Sequence, residues 1–427
     1  MPRVMLVLPT ATYRATAFLR AAADLDLEVV VASNEAPTLA ALMEGRVLTL
    51  DLQRPGESAD RAMEFGARWP VDAVVGVDEA SVVTAANIAD RLGITLCNPV
   101  AAVEATRDKR LLRRRLTAAG LVQPSVAEID VDADARTLDT AVGAVGLPCV
   151  VKPVDLAASR GVIRADSRAD VDAAVQRAGR LLRDVCADGS TPPLIIETYV
   201  EGAEIAVEGL VRDGLLEVIA LFDKPDPLTG PFFEESIYVT PSRLDAASRQ
   251  AAIDSVSEAV SALGLRHGPI HAEVRMCGST AVVIEVAARS IGGLCSQVIR
   301  LVCTDAPHEI RSLENVILRS ACGLRLGAID LFDSASGVYM LPVPAPGVLR
   351  GVEGIDRAMS IAGITGVTIS VPVGEQLTPL PEGDRYLGFI FARGDTPEEV
   401  DAALRQAELQ LSVDLVPPGG IEPPSTG

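Results

Sequence analysis

Glu273 and Glu285 stand in two apolar runs, HAEVRM and VVIEVAAR, joined by the turn signal MCGST. With residues 278–280 as the loop, an antiparallel hairpin sets Glu273 directly opposite Glu285, and Arg275 opposite Val283. Two carboxylates facing each other across a ladder repel. At about 4 Å and an effective dielectric near 20, that repulsion is on the order of 4 kcal/mol. A divalent cation held between them reverses its sign. A register differing by one residue instead sends the two side chains to opposite faces. The alternation by itself leaves both readings open.

Other stretches carry chemistry of a compatible kind. VVKPVDLAASRGV (150–162) ends a strand on Lys152 and follows it with a small-residue loop containing Ser159, Arg160 and Gly161. Such a loop lays backbone N–H groups over phosphate oxygens while the lysine supplies a point charge. The P-loop pattern GxxxxGK[ST] is absent, and a lysine before proline also ends strands that bind nothing. IIETYVEGAE (195–204) gives a buried strand a polar edge. Glu197, Tyr199 and Val200 suit a purine, and Glu204 suits ribose hydroxyls; the plainer alternative is an amphipathic strand with exposed glutamates. AAVEATRDKRLLRRRLTAAG (101–120) predicts one strongly basic helix carrying Lys109, with a solvated, salt-bridged face as its plain alternative. His271 reads as a hydrogen-bonded histidine at a strand start. Cys295, just after the glycine pair, is set aside as a nucleophile, because the chemistry does not call for a thiol and the sequence places no base beside it in a recognisable motif.

The elements that must position these residues alternate in type. VMLVL (4–8), EVVVA (28–32), RVLTL (46–50) and DAVVGV (72–77) are strands separated by helices around 14–23, 57–68 and 80–92. That order predicts a parallel, Rossmann-like sheet, although PTATYRA stands where GxGxxG would mark a dinucleotide site. Antiparallel strands follow at 194–200, 204–214 and 216–222, turning at Asp213–Gly214, and a helix covers 245–263. The expected organisation is an N-terminal Rossmann-like domain (1–100), a basic linker helix (101–120), a small subdomain (121–198), a large subdomain with the carboxylate pair (199–325), a C-terminal α+β region (326–416) and a disordered tail (417–427). The fold class is thus α/β and α+β combined.

Composition limits the partners. The formal net charge of −20 repels polyanions, and an aromatic share of 3% leaves little for base stacking, so nucleic acid is not expected. No apolar run reaches the roughly 18 residues of a membrane span. Seven cysteines without a CxxC pair indicate reduced thiols in a cytoplasmic protein.

Taken in order from Asp108 to Arg289, the pieces are DK on a helix, VVKP, a small-residue loop, ExYVxGxE, a strand glutamate and ExxxR. In that order they resemble the ATP-grasp superfamily. Within it the chain is more closely similar to the L-amino acid ligases, on VGVDEASVVTAANIADRLGI (75–94), DKPDPLTGPFFEESIYVTP (223–241) and EVAARSIGG (285–293). Many other ATP-grasp enzymes have asparagine two residues after the last glutamate, where Ala287 stands here.

The resemblance implies an ATP-grasp fold and an ATP-dependent carboxylate–amine ligase that joins two L-amino acids through an acylphosphate. It answers the opening alternative in favour of the cation: Glu273 and Glu285 would hold Mg²⁺ (or Mn²⁺) on the ATP phosphates. Lys109 and Lys152 would neutralise phosphate charge. Arg289, on the strand face of Glu285 by two-residue periodicity, would act on the transferring phosphate or the oxyanion. Lys152 would serve both binding and catalysis. Glu79, Glu235, Tyr238, Gly292 and Gly293 would contact the amino acids, with Phe232 and Phe233 as a possible apolar wall. The family often has histidine near the place of Tyr238, which leaves the substrate open. A homodimer is usual for such enzymes. The rival readings are a biotin-carboxylase-like or purine-pathway-like ligase, and a non-catalytic ATP-binding regulatory protein.

Overall fold

The run VMLVL forms a strand because it is buried on both faces, as parallel strands covered by helices are. In the computed structural model, which describes residues 1–36, 45–186, 190–304, 306–332 and 334–417, it is the strand Arg3–Leu8. That strand lies between Glu28–Ser33 and Ala73–Gly76, with Val47–Thr49 at the edge, and every pair is parallel. Helices Ala15–Asp24, Pro55–Arg68 and Val82–Arg91 alternate with the strands as expected. Met5, Val7, Val30 and Ile88 are fully buried in the core. Gly76 is required where the third helix meets the sheet, since a Cβ there would lie 2.9 Å from the Val82 Cα.

The chain divides into two units of interleaved segments. One is Met1–Gln123, Ile205–Leu221 and Leu244–Asp333; the other is Pro124–Glu204, Phe222–Arg243 and Ser334–Gly427. Besides the parallel sheet, the first unit contains strands in the spatial order Thr280–Ala287, Gly268–Cys277, Ala203–Arg212 and Leu215–Asp223; the third begins and the fourth ends with two residues assigned to the second unit. The turn at Asp213 and Gly214 takes φ of 50° and 83°, the left-handed pair that a two-residue hairpin uses. Helix Ala246–Leu263, capped by Asp245 and closed by a left-handed Gly264, buries Val256, Ala259 and Val260 against these strands.

The single basic helix expected over 101–119 is two helices, Val100–Arg107 and Lys109–Ala118. Asp108 separates them. Its backbone is extended, and its carboxylate accepts from the Arg110 N–H, which caps the second helix. Lys109, Leu112, Arg113 and Leu116 share the buried face of that helix.

In the second unit, strands Val126–Ile129, Leu194–Thr198, Cys149–Pro153 and Ile163–Ala165 form an antiparallel sheet. Helices Ala135–Val145 and Arg168–Val185 cover it, the latter starting in a capping box of Ser167 and Asp170. The C-terminal part pairs Ile237–Thr240, Ala335–Leu341, Gly388–Gly394 and Ile364–Ile369 in that order, all antiparallel. Helix Pro397–Glu408, capped by Thr396, buries Val400, Leu404 and Ala407 against them. Of the tail 417–427, all but Pro417 lies outside the described residues.

Among the described residues no helix is long and apolar enough to cross a membrane. None of the seven cysteines forms a disulfide; Cys149, Cys295 and Cys303 are buried, and Cys277 is exposed at the end of its strand.

Candidate functional site

Glu273 does face Glu285, but by a route different from the one expected. The turn is two residues long, with Cys277 paired to Thr280 and Gly278 at φ +61°. That turn sets Arg275 opposite Val282, not Val283, and Val274 opposite Val283. A bulge then adds one residue, Ile284, on the Thr280–Ala287 strand and brings Glu285 opposite Glu273. Arg113, 4% or less exposed like Arg275, closes this bulge from the helix side. Its guanidinium donates to the Val283 carbonyl at 3.1 Å and to the Ile284 carbonyl at 2.7 Å.

Each carboxylate has a basic neighbour. Lys109 Nζ lies 3.9 Å from Glu285 Oε1, and His271 Nε2 lies 3.5 Å from Glu273 Oε1. Both carboxylates keep partial exposure. Two hard oxygen donors on one face, with room for further ligands, fit the coordination Mg²⁺ prefers, in which phosphate and water complete an octahedron. His271 is hydrogen-bonded as expected: its Nδ1 meets the carboxylate of Glu208, a buried residue on the neighbouring strand. Burial disfavours the imidazolium, yet Glu208 outweighs that and holds His271 up to about 9. The second oxygen of Glu208 accepts from the Ile291 N–H at 2.8 Å, so one carboxylate anchors both His271 and the segment after the hairpin.

Arg289 lies beyond the strand, which ends at Ala287, so strand alternation does not set its direction. An ion pair sets it instead: Arg289 Nε donates to Glu79 Oε2. Arg107 Nη1 donates to the other oxygen of Glu79 at 2.9 Å. Burial would raise the Glu79 pKa, but Arg289 and then Arg107 hold it down to about 2. Glu79 in turn raises that of Arg289 against its own burial. Ser290 is fixed by the buried Arg14, whose Nη2 donates to Ser290 Oγ at 2.5 Å and whose Nη1 donates to the Val77 carbonyl at 2.8 Å. Gly292 and Gly293 follow directly, with Gly293 at φ +60° and open space beside Gly292. Asp78, next to Glu79, accepts from the Thr12 hydroxyl.

The second unit gathers the remaining candidates in two groups. Lys152 Nζ donates to Glu197 Oε2 at 2.6 Å; Glu197 is 1% exposed, so it is not a solvated strand glutamate. Tyr199 donates its hydroxyl to the Leu228 carbonyl at 3.3 Å and lies beside Phe233, with ring centroids 6.3 Å apart. Val200 and the loop residues Ser159 and Arg160 are partly exposed. The other group centres on Lys224, which sequence reasoning passed over. Its ammonium donates to Glu204 Oε1 at 2.6 Å and to Glu235, and sits 5.2 Å over the Tyr238 ring. Tyr238 is buried edge-on to Phe222.

Arg107, Arg113, Glu208 and Lys224 are the contributors the sequence reading missed. Glu208 had a usable signal, a lone carboxylate inside the apolar strand AVEGLV, because buried charges are paired.

Comparison with known proteins adds to this geometry. Residues 145–298 match the ATP-grasp domain, and residues 339–416 match the L-amino acid ligase C-terminal domain 2. The chain is similar to alanine–anticapsin ligase of Bacillus subtilis, 27% identical over 259 residues, covering 57% of this chain. It spans about half, 53%, of the length of that curated relative. The crystal structure of an L-amino acid ligase from Bacillus licheniformis superposes with a TM-score of 0.81 at 25% identity, covering 96% of this chain and 98% of that one. N5-carboxyaminoimidazole ribonucleotide synthetase from Thermotoga maritima shares the fold alone, with a TM-score of 0.70 at 16% identity over 97% of this chain and 100% of that one. The chain thus contains an ATP-grasp domain match followed by a match to the C-terminal domain of the L-amino acid ligases.

Proposed function

We propose that the protein is an ADP-forming carboxylate–amine ligase that joins two L-amino acids. The observation that carries this reading is the facing pair Glu273 and Glu285, in an ATP-grasp domain that precedes an L-amino acid ligase C-terminal domain. Glu273 and Glu285 would hold Mg²⁺ (or Mn²⁺), which when bound supplies charge neutralisation at the ATP phosphates. Lys109 and Lys152 would each supply positive charge for ATP phosphates. Glu197, Tyr199, Val200 and Glu204 would receive the nucleoside, and the loop with Ser159, Arg160 and Gly161 its phosphates.

In this reading the carboxylate of one amino acid attacks the γ-phosphate, giving an acylphosphate and ADP. The amine of the second displaces phosphate, giving an amide. Catalysis is positioning and electrostatics, so no protein nucleophile is needed. Arg289 supplies the fixed guanidinium for the oxyanion. Its orientation comes from Glu79, which is itself a substrate-contact candidate together with Glu235, Tyr238, Gly292 and Gly293. A cytoplasmic homodimer acting on small molecules completes the proposal; the absence of disulfides among the seven cysteines supports the compartment, and the resemblance supports the dimer.

The test is Mg²⁺-dependent phosphate release from ATP with amino acids supplied singly and in pairs, and mass spectra of the products. Release that requires a pair, with a product lighter than its inputs by one water, is expected. Release that requires bicarbonate, or silence across all pairs, overturns the reading.

A further inference from the structure

We infer that the C-terminal domain shapes the small-residue loop of the nucleotide site, with Glu382 and Arg177 as the positioning residues. The inference rests on the nucleotide reading of that loop given above. Ala158 and Ser159 both sit at φ +56°, in the left-handed region that side chains disfavour. Gly161 follows at φ +72°, where a Cβ would lie 2.7 Å from Pro153 Cγ. Two consecutive non-glycine residues in this conformation need outside support.

That support comes from the segment after Leu377, inside the L-amino acid ligase C-terminal match. The Gly161 N–H donates to the Pro381 carbonyl at 2.8 Å, and Arg160 Nε donates to the Glu382 carbonyl at 2.8 Å. Arg160 Nη1 lies 3.8 Å from Asp384. The supporting segment is itself a tight turn: the Gly383 N–H donates to the Pro379 carbonyl at 2.9 Å, and a Cβ on Gly383 would fall 2.0 Å from the Thr378 carbonyl oxygen. The Glu382 side chain pins the turn to helix Arg168–Val185 through a two-pronged pair with Arg177, at 2.6 and 2.9 Å. Bidentate pairs of this kind fix orientation as well as distance.

The Gly161 N–H and the Arg160 Nε are therefore committed to carbonyls of the C-terminal domain. These two residues set the loop's shape, and the domain is a working part of ATP binding.

The test is ATP affinity by titration calorimetry on the full chain with Mg²⁺, alongside thermal melts and the KM for each amino acid. Glu382→Ala is expected to weaken ATP up to about fivefold, as suits a half-exposed pair, with amino-acid KM values unchanged. Glu382→Gln, which keeps the length and one acceptor, should recover most of that loss. ATP affinity unchanged or tighter in Glu382→Ala overturns the inference, as does a lower melting temperature with no change in affinity. Wild-type protein that binds no ATP removes the nucleotide reading itself, and this inference with it.

Discussion

The Arg113 guanidinium and the Ile284 carbonyl, 2.7 Å apart, join the basic helix to the extra residue of the hairpin bulge. Without that extra residue the two-residue turn would set Glu273 opposite Ile284, and the two carboxylates would not face each other. The register of the two carboxylates is thus braced by the Arg113 contacts with the bulge.

Replacing Arg113 tests this dependence. Arg113→Met leaves two carbonyls without a buried cationic donor and should cost about 2–3 kcal/mol of stability. It should also weaken Mg²⁺ binding at least about tenfold, since the register is no longer fixed. Urea denaturation and the Mg²⁺-induced rise in melting temperature measure the two effects separately. A variant that loses stability but keeps the full Mg²⁺ response would show that the bulge holds by itself.

Glu273→Gln and Glu285→Gln should each abolish the Mg²⁺-induced rise. Without Mg²⁺ both should melt within about 1 kcal/mol of the parent, because losing one of two like charges offsets the lost contact with Lys109 or His271. Thermal melts with and without Mg²⁺ check both arms. A variant that still responds to Mg²⁺ would place the ion elsewhere.

Glu79 carries a pH signature. Its pKa is held at about 2, below the ordinary 4.5, by Arg289 and Arg107 despite burial. A depressed carboxyl stabilises the fold above its unfolded value and loses that contribution as pH falls through the folded one. The contribution at neutral pH is about 3 kcal/mol. Glu79→Gln should therefore be less stable than wild type at pH 7, with the gap closing between pH 4.5 and 2. A gap independent of pH would count against the charged pair.

Lys224 neutralises Glu204 and Glu235 at a site where all three are largely buried. Lys224→Met should cost about 3–5 kcal/mol, because it leaves carboxylates buried without a cation. Adding Glu204→Gln should return part of the loss in urea denaturation. An additive double variant would mean the ion pair contributes nothing of its own.

Much of this architecture is legible in the sequence. Continuous apolar runs alternating with helices give the parallel sheet, and Asp213–Gly214 gives the hairpin of the separate strands Ala203–Arg212 and Leu215–Asp223. The facing of Glu273 and Glu285 is also legible, yet a three-residue loop and a two-residue turn with a bulge give the same pairing there. The two differ only nearer the turn, at Arg275. Helical spacing could have found Arg113, since Lys109, Leu112, Arg113 and Leu116 share one face. Asp108 ahead of KRLL is a cap signal that the basic run hid. The Glu79–Arg289 pair lies beyond any local pattern, because 210 residues separate its members.

Cys277 closes the strand that carries Glu273 and is the exposed thiol among the seven cysteines. Burial pushes Cys149 and Cys322 up to about 11, which keeps them protonated and slow to alkylate at neutral pH. A thiol-reactive fluorophore should therefore label the tip of the hairpin well ahead of Cys149, Cys295, Cys303 and Cys322. The native protein thus offers an optical probe of that strand, and of the proposed cation site on it, without any residue being engineered in.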